Sequence, residues 1–215
     1  MFKDRVEAGR KLAEALAALG TFENPIVLAL PRGGVPVGYE IARRLKAPLD
    51  VIIVRKLGAP FNEEFAIGAL VEGDPERVVL NEEAIWRLGV DKEYLDTVVA
   101  KERDELHRRQ RLYRGSDTPL KDLAGKTVIL VDDGIATGYT MKAALAAIRE
   151  QNPAKIVVAV PVAPADVIPE MRRLADEVVV LDVPEPFWAV GAHYERFDQT
   201  SDEEVIDLLA RAKEV

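Results

Sequence analysis

TVILVDDGIATGYTM, residues 127–141, reads as a buried strand ending in two adjacent carboxylates, then a short loop, then the first turn of a helix. Val128 to Val131 form an apolar run without alternation, as expected of a strand covered on both faces of a parallel sheet. Asp132 and Asp133 follow at its carboxyl end, where the vicinal hydroxyls of a sugar can donate to them and where their charge strengthens the field holding a magnesium ion. Gly134 and Gly138 let the backbone approach a ligand. The successive amides of Gly134, Ile135, Ala136, Thr137 and Gly138, with the hydroxyls of Thr137 and Thr140, suit a phosphate dianion at a helix N-terminus. A diol site and a phosphate site one sugar apart outline a ribose 5-phosphate. The plain alternative is a tight turn with a capping aspartate; the strand before it and the helix after it favour the ligand loop.

Outward from this segment, IVLAL at 26–30, DVIIV at 50–54, KIVVAV at 155–160 and EVVVL at 177–181 are apolar runs of strand length with the same β-branched, non-alternating character. Between several of them lie helical patterns, VPVGYEIARRL at 35–45, YTMKAALAAIREQ at 139–151 and PADVIPEMRRL at 164–174. The repetition predicts an α/β fold: a doubly wound, mainly parallel sheet with helices on both faces, whose ligands lie beyond the carboxyl ends of the strands. An opening helix over residues 3–19 carries a stripe of Val6, Leu12, Ala13, Leu16 and Leu19, with Gly20 placed for its C-cap. Residues 61–115 break the rhythm and read as an insertion, a hairpin of FAIGALVEG and ERVVL followed by a long charged helix. An aromatic, irregular stretch at 184–200 forms a small hood, and Ser201 with Glu204 opens a last capped helix. One domain over residues 1–215 accommodates all of this.

Composition narrows the function. The formal net charge is −8, which repels a polyanion, so nucleic acid is not the expected partner. There is no cysteine, hence neither disulfide nor thiolate metal site. No apolar run approaches the roughly 20 residues of a membrane span, and the N-terminus lacks the pattern of a signal peptide, so a cytoplasmic protein without membrane association is expected.

Two further segments end strands. In LALPRGGVPVG, residues 28–38, Arg32, Gly33 and Gly34 precede a helix and can present amides and a guanidinium to an anion. Arg55 and Lys56 follow DVIIV as a basic pair. No lysine follows Gly138 as a Walker loop requires, and the spacing of a dinucleotide fingerprint is missing.

VILVDDGIATGYT resembles the motif by which type I phosphoribosyltransferases bind phosphoribosyl pyrophosphate (PRPP): four apolar residues, two acids and a phosphate loop ending in Thr-Gly. The likeness extends over roughly residues 22–60 and 122–183 and is strongest to predicted bacterial phosphoribosyltransferases of unassigned substrate. It implies that a nitrogen nucleophile displaces pyrophosphate from C1 of PRPP, with Mg²⁺ as cofactor held through PRPP and water rather than directly by protein. It further implies that Asp132 and Asp133 grip the ribose, that residues 134–138 and Thr140 hold its phosphate, and that Arg32, Gly33, Gly34, Arg55 and Lys56 hold pyrophosphate. Catalysis then rests on Asp132, Asp133, Arg32 and Lys56. Relatives that use 6-oxopurines carry an Asp where this chain has Ala136, which disfavours hypoxanthine, guanine and xanthine.

In the hood, Phe187 and Trp188 are candidates to stack on the acceptor, with His193 and Tyr194 at its edge, although an aromatic plug or a homodimer contact accounts for them equally. Arg108, Arg109, Arg111 and Arg114 are read chiefly as a solvated helix face among glutamates, and the catalytic lid is not identifiable. The main competing reading is a PRPP-sensing regulatory module with little or no transfer.

Overall fold

The computed structural model describes residues 1–214. Its centre is strand β6 (Thr127–Val131), buried along its whole length. To one side run β1 (Pro25–Ala29) and β2 (Leu49–Val51), to the other β7 (Lys155–Val162) and β8 (Glu177–Asp182), all parallel in the order β2-β1-β6-β7-β8. The register aligns Val27, Ile129 and Val157 across the sheet. Both faces are covered, which is why the strand sequences do not alternate. Val27, Ile129, Val131 and Val157 pack under α1 (Arg5–Ala17) and α2 (Gly34–Leu45), against Leu12, Leu16, Val37 and Ile41. Leu28, Val128, Leu130 and Val158 face the opposite way, onto Met141, Leu145 and Ile148 of α5 (Tyr139–Arg149) and Met171 of α6 (Ile168–Leu174). Each such side chain contributes roughly 1.5–3 kcal/mol through burial, so the apolar runs fix the two-layered cover.

The opening helix departs from its expected stripe. Leu12, Ala13 and Leu16 are in the core, but Val6 and Leu19 are exposed, and the cap is Ala18 rather than Gly20. Gly20 does adopt the left-handed backbone, at φ +113°, in the turn beyond the helix.

The larger departure is at DVIIV, which is not one strand. β2 stops at Val51, and β3 (Val54–Ala59) belongs to a second, antiparallel sheet with β4 (Asn62–Val71) and β5 (Arg77–Leu80). Ile52 still donates its N–H to Ala29 O at 3.0 Å. Ile53 then donates instead to Oε2 of Glu72 at 2.8 Å, and Glu72 returns its own N–H to Ile53 O. The inserted unit therefore begins at Val54, before the expected residue 61, and continues through α3 (Glu82–Leu88) and α4 (Lys92–Arg114). Leu57, Ile67, Leu70, Leu106 and Tyr113 form its core with Val205 and Leu209 of α7 (Asp202–Ala212). Ser201 accepts from the N–H of Glu204 at 3.1 Å, the expected cap. No helix among the described residues is long and apolar enough to cross a membrane.

Candidate functional site

At the carboxyl end of β6 the chain turns through Asp132 and Asp133. Asp132 Oδ1 accepts the N–H of Asp133 at 2.8 Å, and Asp133 Oδ2 accepts from Nε of Arg5 at 2.9 Å. Among the described residues no partner is assigned to the other oxygen of either acid. Each carboxylate therefore keeps one oxygen free to accept a further hydrogen bond. Burial pushes the Asp132 carboxyl well above the usual carboxylate range, and the charge of Asp133 beside it adds to the effect. Arg5 also donates to Asp198 O and lies 4.0 Å from the centre of the Phe197 ring, so its guanidinium is held on three sides.

The PRGG loop is seated directly on these acids. A methyl group built on Gly33 would lie 2.1 Å from Asp133 Oδ2, and one on Gly34 would lie 3.0 Å from Val131 O and 3.1 Å from the Asp132 Cα. Both glycines are there because the two loops touch. The N–H of Gly34 donates to Leu30 O at 3.0 Å, which corrects the expectation that its amide serves an anion. Arg32 extends towards Asp202 at the start of α7, with Nη1 3.7 Å from Oδ1, and the hydroxyl of Tyr113 donates to that same Oδ1 at 2.7 Å. Burial, then the bond to Asp202, raises the Tyr113 hydroxyl pKa to about 12.

The loop beyond the acids divides in two. Gly134 and Ile135 turn inward: the space over Gly134 is taken by Val190 and Val162, while Ile135 is buried and donates its N–H to Val162 O at 3.0 Å. Gly134 thus admits the hood rather than a ligand, and the amide of Ile135 is not available to a phosphate. Ala136 and Thr137 are exposed, and Gly138 adopts φ +81° to start α5. Among the described residues no acceptor is assigned to the N–H groups of Ala136, Thr137, Gly138, Thr140 and Met141, and Tyr139 reaches only Thr137 Oγ1 at 3.5 Å. Unpaired amides at a helix start, with the hydroxyls of Thr137 and Thr140 beside them, are donors of the kind an anion can engage.

Arg55 and Lys56 lie on β3, in the second sheet, not at the end of a central strand. With Thr140 they line one cleft of about 620 Å³. Arg55 is paired with Glu102 at 3.0 Å, whereas Lys56 is more exposed and bonds Glu64 at 3.3 Å. On the other side of the loop, Ala136 and Phe187 line an open cleft of about 680 Å³ with Asp166 and Glu185. Phe187 stacks on His193 at 5.3 Å, whose Nε2 is buried without a partner. Trp188 is 80% exposed and lines neither cleft, so it is not placed to stack on an acceptor there. Tyr194 is buried; its hydroxyl donates to Asp133 O at 2.6 Å and braces the acids rather than meeting a substrate.

Of the helix arginines, Arg108 and Arg109 pair with Glu105, pulling its pKa down to about 2, chiefly through the Arg108 hydrogen bond. Arg111 pairs with Asp117, and Arg114 is largely buried against Glu72 and Asp50. Arg5, Tyr113 and Asp202 carry no signal in the linear sequence, because their partners lie far away along the chain; Tyr194 stands out there only as a candidate for the acceptor's edge, and nothing in the sequence points to its bond to Asp133 O.

Residues 3–195 match the family described as the phosphoribosyl transferase domain. This chain belongs to that family. Among members of the phosphoribosyl transferase family, a predicted phosphoribosyl transferase of Mycobacterium tuberculosis strain H37Rv is 47% identical over 213 residues, covering 99% of this chain and 47% of the relative. The chain thus spans about half the length of these curated relatives. The Bifunctional protein PyrR of Chloroflexus aurantiacus is 33% identical over 132 residues, 60% of this chain and 65% of that protein. The crystal structure of TT1426 from Thermus thermophilus is 48% identical with a TM-score of 0.83, covering 98% of each chain.

Proposed function

We propose that this chain transfers the phosphoribosyl group of PRPP to a nitrogenous acceptor, most simply a nucleobase, with release of pyrophosphate. The observation that carries the reading is the combination of two unpartnered carboxylate oxygens, on Asp132 and Asp133, with the unpaired amides of Ala136, Thr137, Gly138, Thr140 and Met141. The acids accept from the ribose diol, and the amides and threonine hydroxyls take the 5-phosphate. Arg32 and Lys56 neutralise charge gathering on the departing pyrophosphate as the C1–O bond breaks and the acceptor nitrogen bonds to C1. Arg55 is a weaker contributor, since Glu102 already neutralises it.

Mg²⁺ fits this donor set. Among the described residues there is no group of three or more acidic or histidine side chains able to cage a metal, and two adjacent carboxylates suit an ion that keeps water and takes most of its ligands from a substrate's phosphates. When bound it supplies electrostatic stabilisation of the leaving group. Ala136 offers no proton-transfer group beside the second cleft, so acceptors that rely on one there, hypoxanthine and guanine among them, are poorly served.

Asp132→Asn with Asp133→Asn tests the reading by calorimetry with PRPP and Mg²⁺. Losing two charge-assisted hydrogen bonds at about 1.5–3 kcal/mol each weakens binding by more than about tenfold. Equal affinities in the variant and the parent protein would overturn the assignment. The likeness to a protein named as bifunctional favours one second reading, a PRPP-sensing regulatory module. Pyrophosphate release with a panel of bases separates the two, because a sensor binds PRPP without turnover.

A further inference from the structure

A third cavity, of about 500 Å³, opens between the C-terminal half of α2, the start of β2, the end of α4 and α7. It lies at the amino end of the sheet, away from the Asp132–Asp133 loop. Its charge is anomalous for this chain. Arg43, Lys46, Arg114, Lys121 and Lys213 line it against the single carboxylate of Asp50, on a protein whose net charge is −8. Arg114 is neutralised by Asp50 and Glu72, and Arg43 shares Glu40, but Lys46 and Lys121 make no ion pair among the described residues. Helix dipoles account for cations at the ends of α2 and α7; they do not account for Lys121, which is on no helix. Tyr39 and Tyr113 contribute aromatic surface with Leu209, and Ser116 and Thr118 contribute hydroxyls. The volume is in the range of small-molecule pockets, and a cleft lined by one sign of charge concentrates counter-ions.

We propose that this cavity binds a phosphorylated aromatic metabolite of the nucleotide class and acts as an effector site. Its wall is linked to Arg32 through a single residue, Asp202. Tyr113 donates to Asp202 Oδ1, the same oxygen that holds Arg32 of the PRGG loop. A ligand that draws the Tyr113 hydroxyl away leaves Asp202 to hold Arg32 more firmly, and PRPP then binds more weakly. This coupling rests on the proposed function; the cavity's occupancy does not.

ATP is the probe, titrated by calorimetry without Mg²⁺ into protein carrying Asp132→Asn and Asp133→Asn, which loses the diol acceptors of the PRPP site; the loop amides remain, so the lysine reversals separate this cavity from them. Binding is expected there, weakened at least about tenfold by adding Lys46→Glu and Lys121→Glu, and at least about tenfold weaker for adenosine or tripolyphosphate alone. Both lysines are exposed, so these variants keep their fold, checked by thermal melting. Absence of ATP binding, or equal binding with the lysines reversed, overturns the site. In otherwise native protein, ATP is expected to weaken PRPP binding by about threefold to a plateau, an effect absent from Lys46→Glu/Lys121→Glu and from Tyr113→Phe. Unlimited weakening, or weakening that survives the lysine reversals, means competition at the PRPP site and overturns the coupling. Failure of native protein to bind PRPP at all counts against the proposed function, and the ATP arms still decide the cavity.

Discussion

Asp132 is held where its charge is costly, and that gives it a stability signature separate from any substrate. Its carboxyl is raised above the ordinary range by burial and by Asp133, so the folded protein binds a proton more readily than the unfolded chain does. Stability contributed by that proton is present at low pH and is lost as pH rises from about 4 through the elevated value. Without ligand or Mg²⁺, Asp132→Asn should therefore melt with the parent near pH 4 and above it at pH 7 to 8, while binding PRPP more weakly; identical melting curves across this range would count against a desolvated acid. Gly33 makes the complementary point by steric means. A Cβ there falls 2.1 Å from Asp133 Oδ2, against a carboxylate pinned by Arg5, so neither neighbour yields easily. Gly33→Ala should fold, at a cost of about 1–3 kcal/mol, yet lose at least about tenfold in PRPP affinity by calorimetry. Unchanged affinity would mean that the two loops need not touch.

At the scale of elements, what could be read along the chain was whatever local pattern decides. Val128 to Val131, the helix expected over 139–151 and the cap at Ser201 depend on neighbours within a few residues, and they form, the helix ending two residues early at Arg149. DVIIV is apolar whether it makes one strand or parts of two, so its pattern holds no information about where it switches sheets. The switch is made by Glu72, 19 residues on from Ile53, whose buried carboxylate accepts the Ile53 amide, Gln110 and the guanidinium of Arg114. Arg114 in turn bonds Asp50 and Val51 O, so one buried ion pair joins the end of α4 to both sheets. Glu72→Gln keeps the shape but leaves Arg114 without its main counter-charge. It should cost about 3–5 kcal/mol in urea unfolding at pH 7; a loss under about 1 kcal/mol would show that the pair is not what fixes the crossing.

Across the whole molecule, the candidate site is closed by joining the two ends of the chain. Phe2 donates its N–H to His193 O and accepts from Glu195, Tyr194 braces Asp133 from the hood, and Arg5 crosses 128 residues of sequence to pair with Asp133. The acids, glycines and threonines of the loop were legible because ligand chemistry demands them at fixed local spacing. Arg5, Asp202 and the bracing role of Tyr194 were not, because nothing near them in sequence marks a partner supplied by another layer. Both members of the Arg5–Asp133 pair are largely buried, 13% and 14% exposed, so the energetics of an orphaned charge apply. Arg5→Leu alone should lower stability by about 2–4 kcal/mol, and Arg5→Leu with Asp133→Asn should recover more than about 1 kcal/mol of that, since the second change removes the carboxylate left without its counter-ion. Urea unfolding of the parent, both single variants and the double variant measures the coupling. Strict additivity would mean that Arg5 holds the N-terminus to the hood through Phe197 and Asp198 alone, and that Asp133 keeps its position without it.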